Sequence, residues 1–189
     1  MRNIISIILF TLTFAVASAQ SHGIYRLSPF ERSVATIKYF EGLHQVSDAP
    51  YVGYGHRIQP GEHYRSLLSR KQADRLLRRD LRKLCKMFEG YGEYSLLLAT
   101  LAYNVGYGTL MGNSHRPKSQ LVQKIERGDK DIYQDYISFC RYKGKVVPSI
   151  RRRRMVEYHL LNPKKVTKQP YYESEKEMQI RYRKYMLNW

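Results

Sequence analysis

Residues 28–56 read SPFERSVATIKYFEGLHQVSDAPYVGYGH, and this stretch decides how the chain begins to fold. It opens with a capping box, in which Ser28 can cap a helix, Pro29 can take the first helical position and Glu31 can reach back to the cap. We therefore predict a helix from Pro29. One face of that helix carries the apolar residues Phe30, Val34 and Ile37, and the next position on the same face is Glu41.

Glu41 ends the predicted helix and is followed by Gly42, a residue typical of helix C-terminal caps. A carboxylate at the negative end of a helix dipole gains nothing from the dipole, and partial burial further disfavours its charged form. A side chain in this position suits a general acid, which must carry a proton. An arginine close to Glu41 would act in the opposite direction, so the sequence leaves the net effect open.

The rest of the chain predicts helices and one hairpin. Glycines alternate with tyrosine and valine between Val46 and Ile58, which is the only convincing strand signal. Ser69-Arg-Lys-Gln72 is a second capping box before an amphipathic helix, and Ser95 to Val105 is apolar on nearly every face, as a central helix would be. Shorter helices are predicted from Ser119, from Asp131 to Arg141 and from Ser149 to Leu161.

Several motifs occur in a fixed order along the chain. They are Phe40-Glu41-Gly42-Leu43, Val52-Gly53-Tyr54-Gly55-His56, Gln72-Ala73 with Asp80-Leu81, Leu101-Ala-Tyr-Asn-Val-Gly106, and Gly144-Lys145-Val146 followed by Arg151 to Arg154 and Glu157. In this order they resemble the phage-type lysozymes of glycoside hydrolase family 24. The resemblance implies a mainly α (α+β), lysozyme-like domain over residues 28–161. A small β-hairpin lobe and a helical lobe would be joined by a connecting helix, with the cleft between the lobes.

The resemblance also implies a function. Enzymes of this family cleave the β-1,4 bond between N-acetylmuramic acid and N-acetylglucosamine in peptidoglycan, and the glutamate that ends their first helix is the general acid. That position corresponds to Glu41. The reaction needs no cofactor, and the six histidines of the chain show no spacing typical of a metal site.

The chain departs from the family in the hairpin, where the second catalytic group should lie. The segment is shorter than usual, and Tyr51 stands where the family has a threonine. Asp48 is the only carboxylate available there, as a catalytic group or as the first residue of a turn. Tyr51 could orient water, stack on a sugar or be an ordinary hairpin aromatic residue, and His44 is a further polar candidate that could contact substrate.

Other family positions suggest supporting roles. Tyr103 and Asn104 correspond to residues of the cleft wall that hold N-acetyl sugars, although Tyr103 could equally belong to the core. His56 and Asp80 correspond to a structural pair that joins the hairpin to the second helix. Arg151 to Arg154 span about one helical turn, so at least one of them must point inward, and the distance from Pro148 favours Arg151 or Arg152 as the partner of Glu41.

The two ends of the chain differ from the domain between them. Residues 1–19 combine an apolar run with Ala17-Ser18-Ala19, which predicts a cleaved signal peptide rather than a membrane anchor. Residues 162–189 form a basic, tyrosine-rich extension. We therefore expect a secreted or periplasmic monomer with no membrane span after cleavage.

Lysine and arginine outnumber aspartate and glutamate by 33 to 16, a formal net charge of +17. An acidic partner is expected, and peptidoglycan glycan strands in a carboxylate-rich envelope fit that expectation better than nucleic acid for an exported protein.

Three questions stay open at this level. Cys85 and Cys140 are an even pair that could form a disulfide or remain two packed thiols. Without a second catalytic group, Glu41 alone could support a lytic transglycosylase, in which a substrate hydroxyl replaces water. The chain could also be a peptidoglycan-binding or assembly factor that has lost catalysis, or a cationic protein that acts on membranes.

Overall fold

The computed structural model describes residues 23–64 and 67–162. Its helices are α1 (Pro29–Glu41), α2 (Arg70–Met87), α3 (Ser95–Val105), α4 (Tyr107–Met111), α5 (Gln120–Glu126), α6 (Tyr133–Ile137) and α7 (Pro148–Leu161), and its strands are β1 (Tyr51–Val52), β2 (His56–Arg57), β3 (Arg141–Tyr142) and β4 (Lys145–Val146). The helical turn Gly23–Arg26 belongs to a separate unit of the chain, and residues 29–162 belong to one compact unit. The predicted signal peptide, and all but the first residue of the predicted extension, lie outside the described residues.

Helix α1 runs as predicted, from Pro29 to Glu41. Val34 and Ile37 are buried on its inner face, which contacts α3 and α7. Gly42 then takes a positive φ of 66°, a conformation that favours glycine, and the chain turns into the hairpin. The apolar spacing of α1 therefore sets the direction from which Glu41 enters the site.

The first hairpin pairs β1 with β2 in antiparallel register, with Tyr51 opposite Arg57 and Val52 opposite His56. It lies within the predicted segment, although Val46–Asp48 is a 3₁₀ turn rather than a strand. The backbone N–H of His44 donates to the Gly53 carbonyl at 2.8 Å. This bond holds the segment after Glu41 against the turn of the hairpin.

Helix α2 carries the predicted capping box. Ser69 Oγ accepts from the backbone N–H of Gln72, whose side chain accepts from the backbone N–H of Ser69. The buried face of α2 consists of Ala73, Leu76, Leu77 and Leu81. This face packs on α3, in which every residue from Leu97 to Ala102 is buried. The sequence pattern that predicted a central helix is confirmed by this burial.

The second half of the domain corrects two predictions. The helix predicted from Asp131 to Arg141 spans only Tyr133–Ile137, and a second hairpin follows it, in which β3 pairs with β4. Lys143 and Gly144 form its turn with φ angles of 48° and 79°. This hairpin gives a weak sequence signal because all four of its strand residues are exposed and no apolar alternation marks them.

Cys85 and Cys140 are both unbridged in the structure. Cys140 is buried, and Cys85 is partly buried, which raises the pKa of its thiol above the ordinary value. None of the described helices is long and apolar enough to cross a membrane.

His56 joins the first hairpin to α2. Its Nδ1 lies 2.6 Å from Asp80 Oδ2, and its Nε2 lies 2.7 Å from Glu62 Oε2. The hydrogen bond to Asp80 is the largest cause that raises the pKa of His56, and the bond to Glu62 adds to it against the opposing effect of burial. The backbone N–H of Gln59, followed by His56, lowers the pKa of Glu62 to about 2. These shifts favour the imidazolium form of His56 and the carboxylate form of Glu62.

The pH dependence of stability should report this contact. The raised pKa of His56 means that its contribution is complete below pH 6.5 and is lost as pH rises through the folded-state pKa. The lowered pKa of Glu62 means that its contribution is complete above pH 4.5 and is lost as pH falls toward 2. His56→Gln should therefore lower the midpoint of thermal unfolding most between these values, by about 5 °C. A deficit that stays constant above pH 6.5 would contradict this account, and the exposed His115, changed to Gln, is the control.

Candidate active site

Glu41 lies at the junction of α1 and the first hairpin, with a side chain that is 17% exposed. Its Oε1 accepts hydrogen bonds from Arg153 Nη1 at 2.6 Å and from Asn104 Nδ2 at 3.3 Å. Arg153 belongs to α7 and Asn104 to α3. The carboxyl group is therefore held by side chains from two other helices. It is partly exposed, so it is neither deeply buried nor free in solvent.

Five side chains form a closed ring of hydrogen bonds through Glu41. From Arg153, Nε donates to Glu157 Oε1 at 2.8 Å, and Glu157 Oε2 accepts from Arg154 Nη1 at 2.5 Å. Arg154 Nη2 donates in turn to Asn104 Oδ1, whose amide nitrogen returns to Glu41. We call Glu41, Arg153, Glu157, Arg154 and Asn104 the Glu41 ring.

The Glu41 ring contains two carboxylates and two guanidinium groups, so its formal charge is zero. Arg154 and Glu157 are fully buried, and Tyr136 adds a hydrogen bond to Glu157 Oε2 at 3.0 Å. Burial by itself would lower the pKa of Arg153, but the charges of Glu157 and Glu41 outweigh it and raise that pKa above the ordinary value. The guanidinium of Arg153 therefore keeps its charge beside Glu41.

The second oxygen of Glu41, Oε2, has different surroundings. It lies 3.9 Å from His44 Nε2, which is too far for a hydrogen bond. Gly55 is also close to this oxygen, because a Cβ built on Gly55 would lie 3.1 Å from Oε2. Oε2 is thus the oxygen that the ring leaves free, and the absence of a side chain at Gly55 is what gives the carboxyl room.

His44 lies between Glu41 and Asp48. Its Nδ1 is 3.5 Å from Asp48 Oδ2, while its Nε2 faces Glu41. Asp48 is 44% exposed and accepts a hydrogen bond from the backbone N–H of Gln45 at 2.6 Å. Tyr51 is 42% exposed, with its ring centroid 5.9 Å from that of His44. Three of the residues that the sequence singled out therefore lie together on the hairpin side of Glu41.

Two buried polar atoms next to Glu41 have no hydrogen-bond partner within the described part of the chain. They are His44 Nε2 and Arg153 Nη2. An unpartnered buried polar atom is unfavourable and is uncommon in folded proteins, so such atoms often mark a functional site. Here one atom belongs to the arginine that is hydrogen-bonded to Glu41 Oε1, and the other lies 3.9 Å from Glu41 Oε2.

A family comparison matches this architecture. The sequence pattern described as "Phage lysozyme" matches residues 38–157, which contain Glu41 and every other member of the Glu41 ring. The chain belongs to the phage lysozyme family.

Two solved structures show the same fold at low sequence identity. One is the muramidase domain of SpmX from Asticaccaulis excentricus, with a TM-score of 0.55 and 23% identity over 68% of this chain and 93% of that one. The other is the active form of the P1 phage endolysin Lyz, with a TM-score of 0.55 and 15% identity over 82% of this chain and 96% of that one. No curated protein sequence matches the chain significantly.

Within this phage lysozyme fold, the arginine that contacts Glu41 differs from the sequence prediction. Arg151 and Arg152 are exposed on the first turn of α7, and Arg153 makes the contact instead. The helical period explains the difference, because Arg154 and Arg153 lie three and four positions before the fully buried Glu157 and therefore share its face of α7. The apolar residues near the C-terminal end of α7 mark its buried face. Counting back from them in helical steps would have selected Arg153 and Arg154, together with Glu157 as their partner.

The predicted residues of the cleft wall make intramolecular contacts. Tyr103 donates its hydroxyl hydrogen to the Tyr54 carbonyl at 2.9 Å, and burial, followed by the charges of Asp80 and Glu41, raises its pKa. Asn104 uses both ends of its amide within the Glu41 ring. These contacts position the backbone of the hairpin and the carboxyl of Glu41. No group of three potential metal ligands converges anywhere in the described residues.

The Glu41 ring should be a major source of stability. Glu157→Gln would leave two buried guanidinium groups without their shared carboxylate, so we expect a loss of about 3–5 kcal/mol in the free energy of unfolding. Urea denaturation measures it. The control is Glu126→Gln, which breaks the exposed pair with Lys118 and should cost less than about 1 kcal/mol. Equal losses in the two variants would show that the ring adds nothing beyond a surface pair.

The contact between Gly55 and Glu41 can be tested with a matched pair of glycines. Gly55→Ala would place its Cβ 3.1 Å from the Glu41 carboxyl, whereas Gly61, with a nearly identical φ of 86° against 88°, has no atom within 4 Å of the same position. Both substitutions strain the backbone, by about 1–2 kcal/mol. Only Gly55→Ala should also displace Glu41 and reduce clearing of peptidoglycan. If Gly61→Ala reduced clearing as much, backbone strain rather than the carboxyl contact would be the cause.

Proposed function

We propose that the protein is a lysozyme that hydrolyses the β-1,4 bond between N-acetylmuramic acid and N-acetylglucosamine in peptidoglycan, with Glu41 as the general acid. The observation that carries this proposal is the asymmetric surroundings of the Glu41 carboxyl. Oε1 is fixed by Arg153 and Asn104, and Oε2 is left without a hydrogen bond in the described residues. A fixed carboxyl with one free oxygen is suited to deliver a proton to a glycosidic oxygen.

Hydrolysis by this mechanism involves two proton transfers, one from Glu41 to the leaving oxygen and one from water to a base. Glu41 gives its proton to the oxygen that leaves, the bond between that oxygen and the anomeric carbon breaks, and the bonding electrons stay with the oxygen. Positive charge develops on the sugar, and water adds to the anomeric carbon with loss of a proton to a base. Arg153 and Asn104 keep the Glu41 side chain in place throughout, so little reorganisation is needed during the step.

Asp48 is the proposed second carboxylate. The imidazole ring of His44 lies between the two carboxyl groups. Its Nε2 is 3.9 Å from Glu41 Oε2, and its Nδ1 is 3.5 Å from Asp48 Oδ2. The separation of the Glu41 and Asp48 oxygens is therefore at most about 10 Å, comparable to the 6.5–9.5 Å typical of enzymes that invert configuration. The exposure of Asp48 gives it access to water, and His44 and Tyr51 would contact the substrate beside it.

A lytic transglycosylase is the second candidate function, and the position of His44 favours it. The imidazole occupies part of the space in which a water molecule would have to lie between the two carboxyls. A mechanism with Glu41 alone needs no such water, because a hydroxyl of the substrate attacks the anomeric carbon. Asp48 would then serve only to hold the turn through Gln45.

The proposed substrate lies outside the cytoplasmic membrane, so the proposal includes the export predicted from residues 1–19. The net charge of +17 would attract the protein to an acidic envelope, and this attraction should weaken as salt rises. We propose that the protein acts there as a monomer.

Turbidity of purified peptidoglycan tests the role of Glu41. Glu41→Gln keeps the shape of the side chain but removes the proton donor, so the rate of clearing should fall by at least about 100-fold. Thermal unfolding of the same variant checks that the Glu41 ring still folds. Equal clearing by the wild type and the variant would refute the acid role. Binding of peptidoglycan without any clearing by the wild type would indicate a binding or assembly factor.

The same assay separates the two chemistries when it is run with Asp48→Asn. Loss of clearing, with reducing ends among the products of the wild type, supports hydrolysis with Asp48 as the base. Retained clearing, with anhydro-muramic acid ends, supports the transglycosylase.

A further inference from the structure

The second hairpin carries an unusual surface for so short an element. Residues 141–146 are all exposed, with Tyr142 at 64% and Val146 at 45%. Arg141, Lys143 and Lys145 are cationic, and no aspartate or glutamate occurs between residues 136 and 156. We call residues 141–146 the basic hairpin. It combines one exposed aromatic ring with three positive charges and no internal counter-charge.

The basic hairpin has a defined shape. Lys143 and Gly144 form its tight turn with positive φ angles, and Arg141 Nη1 donates to the Gly144 carbonyl at 3.0 Å. The ammonium of Lys143 lies 5.5 Å from the centroid of the Tyr142 ring. One face of that ring is therefore next to a cation, and the high exposure of Tyr142 leaves the ring accessible to a ligand.

The chain connects the basic hairpin directly to the Glu41 ring. The backbone N–H of Val147 closes the hairpin by donating to the Cys140 carbonyl at 2.8 Å, and α7 begins at the next residue. Arg153 follows Pro148 by less than two helical turns, or about 8 Å along the helix axis. Exposed Arg151 and Arg152 on the first turn of α7 continue the positive surface between the two.

We propose that the basic hairpin is a second binding surface for the peptidoglycan polymer, separate from the bond that is cleaved. This inference rests on the proposed function. Tyr142 would stack on a sugar ring of the glycan strand, since an aromatic face pairs well with the apolar face of a sugar. Lys143, Lys145 and Arg141 would bind carboxylates of the peptides that the strand carries.

The chemistry of the surface favours this partner over an anionic lipid bilayer. Insertion into a membrane interface usually needs several apolar side chains on one face, and the basic hairpin offers only Tyr142 and Val146. A glycan strand that carries acidic peptides as side branches matches one aromatic residue flanked by separate cations.

Cosedimentation with purified insoluble peptidoglycan tests the inference without the need for catalysis. The full chain with Glu41→Gln is the parent, and the variant adds Tyr142→Ala, Lys143→Gln and Lys145→Gln. We expect the dissociation constant of the variant to rise about tenfold, from the loss of one stacked ring and two cations. The matched control adds Lys83→Gln and Lys86→Gln on the exposed side of α2, which removes the same charge and should change binding by less than about twofold.

The outcomes are distinguishable. Unchanged binding by the hairpin variant, or an equal loss in the α2 control, would overturn the inference. Loss of binding only to vesicles of anionic phospholipid, with binding to peptidoglycan retained, would overturn it in favour of a lipid surface. With Glu41 intact, the hairpin substitutions should lower kcat/KM on insoluble peptidoglycan and leave cleavage of short soluble fragments unchanged. If the wild type cleaves nothing, the proposed function fails while the binding measurement still decides the role of the hairpin.

Discussion

The contact between Glu41 and Arg153 is the interaction on which the arrangement of the site depends. It joins the end of α1 to the middle of α7, and through Asn104 it includes α3, the most buried helix of the domain. Glu157 and Arg154 complete the ring inside the core, so each buried side chain of the ring is hydrogen-bonded to another member. The orientation of the Glu41 carboxyl is therefore fixed by side chains of the packed core, although Glu41 itself is a partly exposed residue at the end of α1.

The first hairpin supplies the other wall of the site, and its geometry follows from small residues and short connections. Gly55 allows its backbone to approach the Glu41 carboxyl, and His56 anchors the strand to α2 through Asp80. His44 lies between the carboxyls of Glu41 and Asp48, with its Nε2 3.9 Å from one and its Nδ1 3.5 Å from the other.

Charge serves two different purposes in this protein. Inside the domain, positive and negative groups are paired at hydrogen-bond distance and their formal charges cancel in the Glu41 ring. On the surface, cations greatly exceed anions, and the basic hairpin has no acidic residue at all. The internal pairs set geometry and are little affected by salt, whereas the surface excess acts over longer distances and is screened by salt. Charged residues therefore have two physically separate functions. Those on the surface attract the protein to an acidic polymer, and those of the Glu41 ring align the Glu41 carboxyl.

The sequence by itself determined the helices with strong periodicity, the first hairpin, the family and the position of Glu41 at a helix end. The helices, the first hairpin and the position of Glu41 follow from local rules, because apolar spacing, capping residues and glycines act within a few residues of one another. The family followed from the resemblance carried by several motifs in a fixed order. The second hairpin escaped prediction because its strands are exposed and carry no alternation. Only the tertiary structure decided which arginine contacts Glu41 and that His44 separates it from Asp48. The contact between Glu41 and Arg153 joins residues far apart in the chain and depends on how the helices pack. His44 is close in sequence to both Glu41 and Asp48, but its place between them depends on the path of the loop that leads into the hairpin.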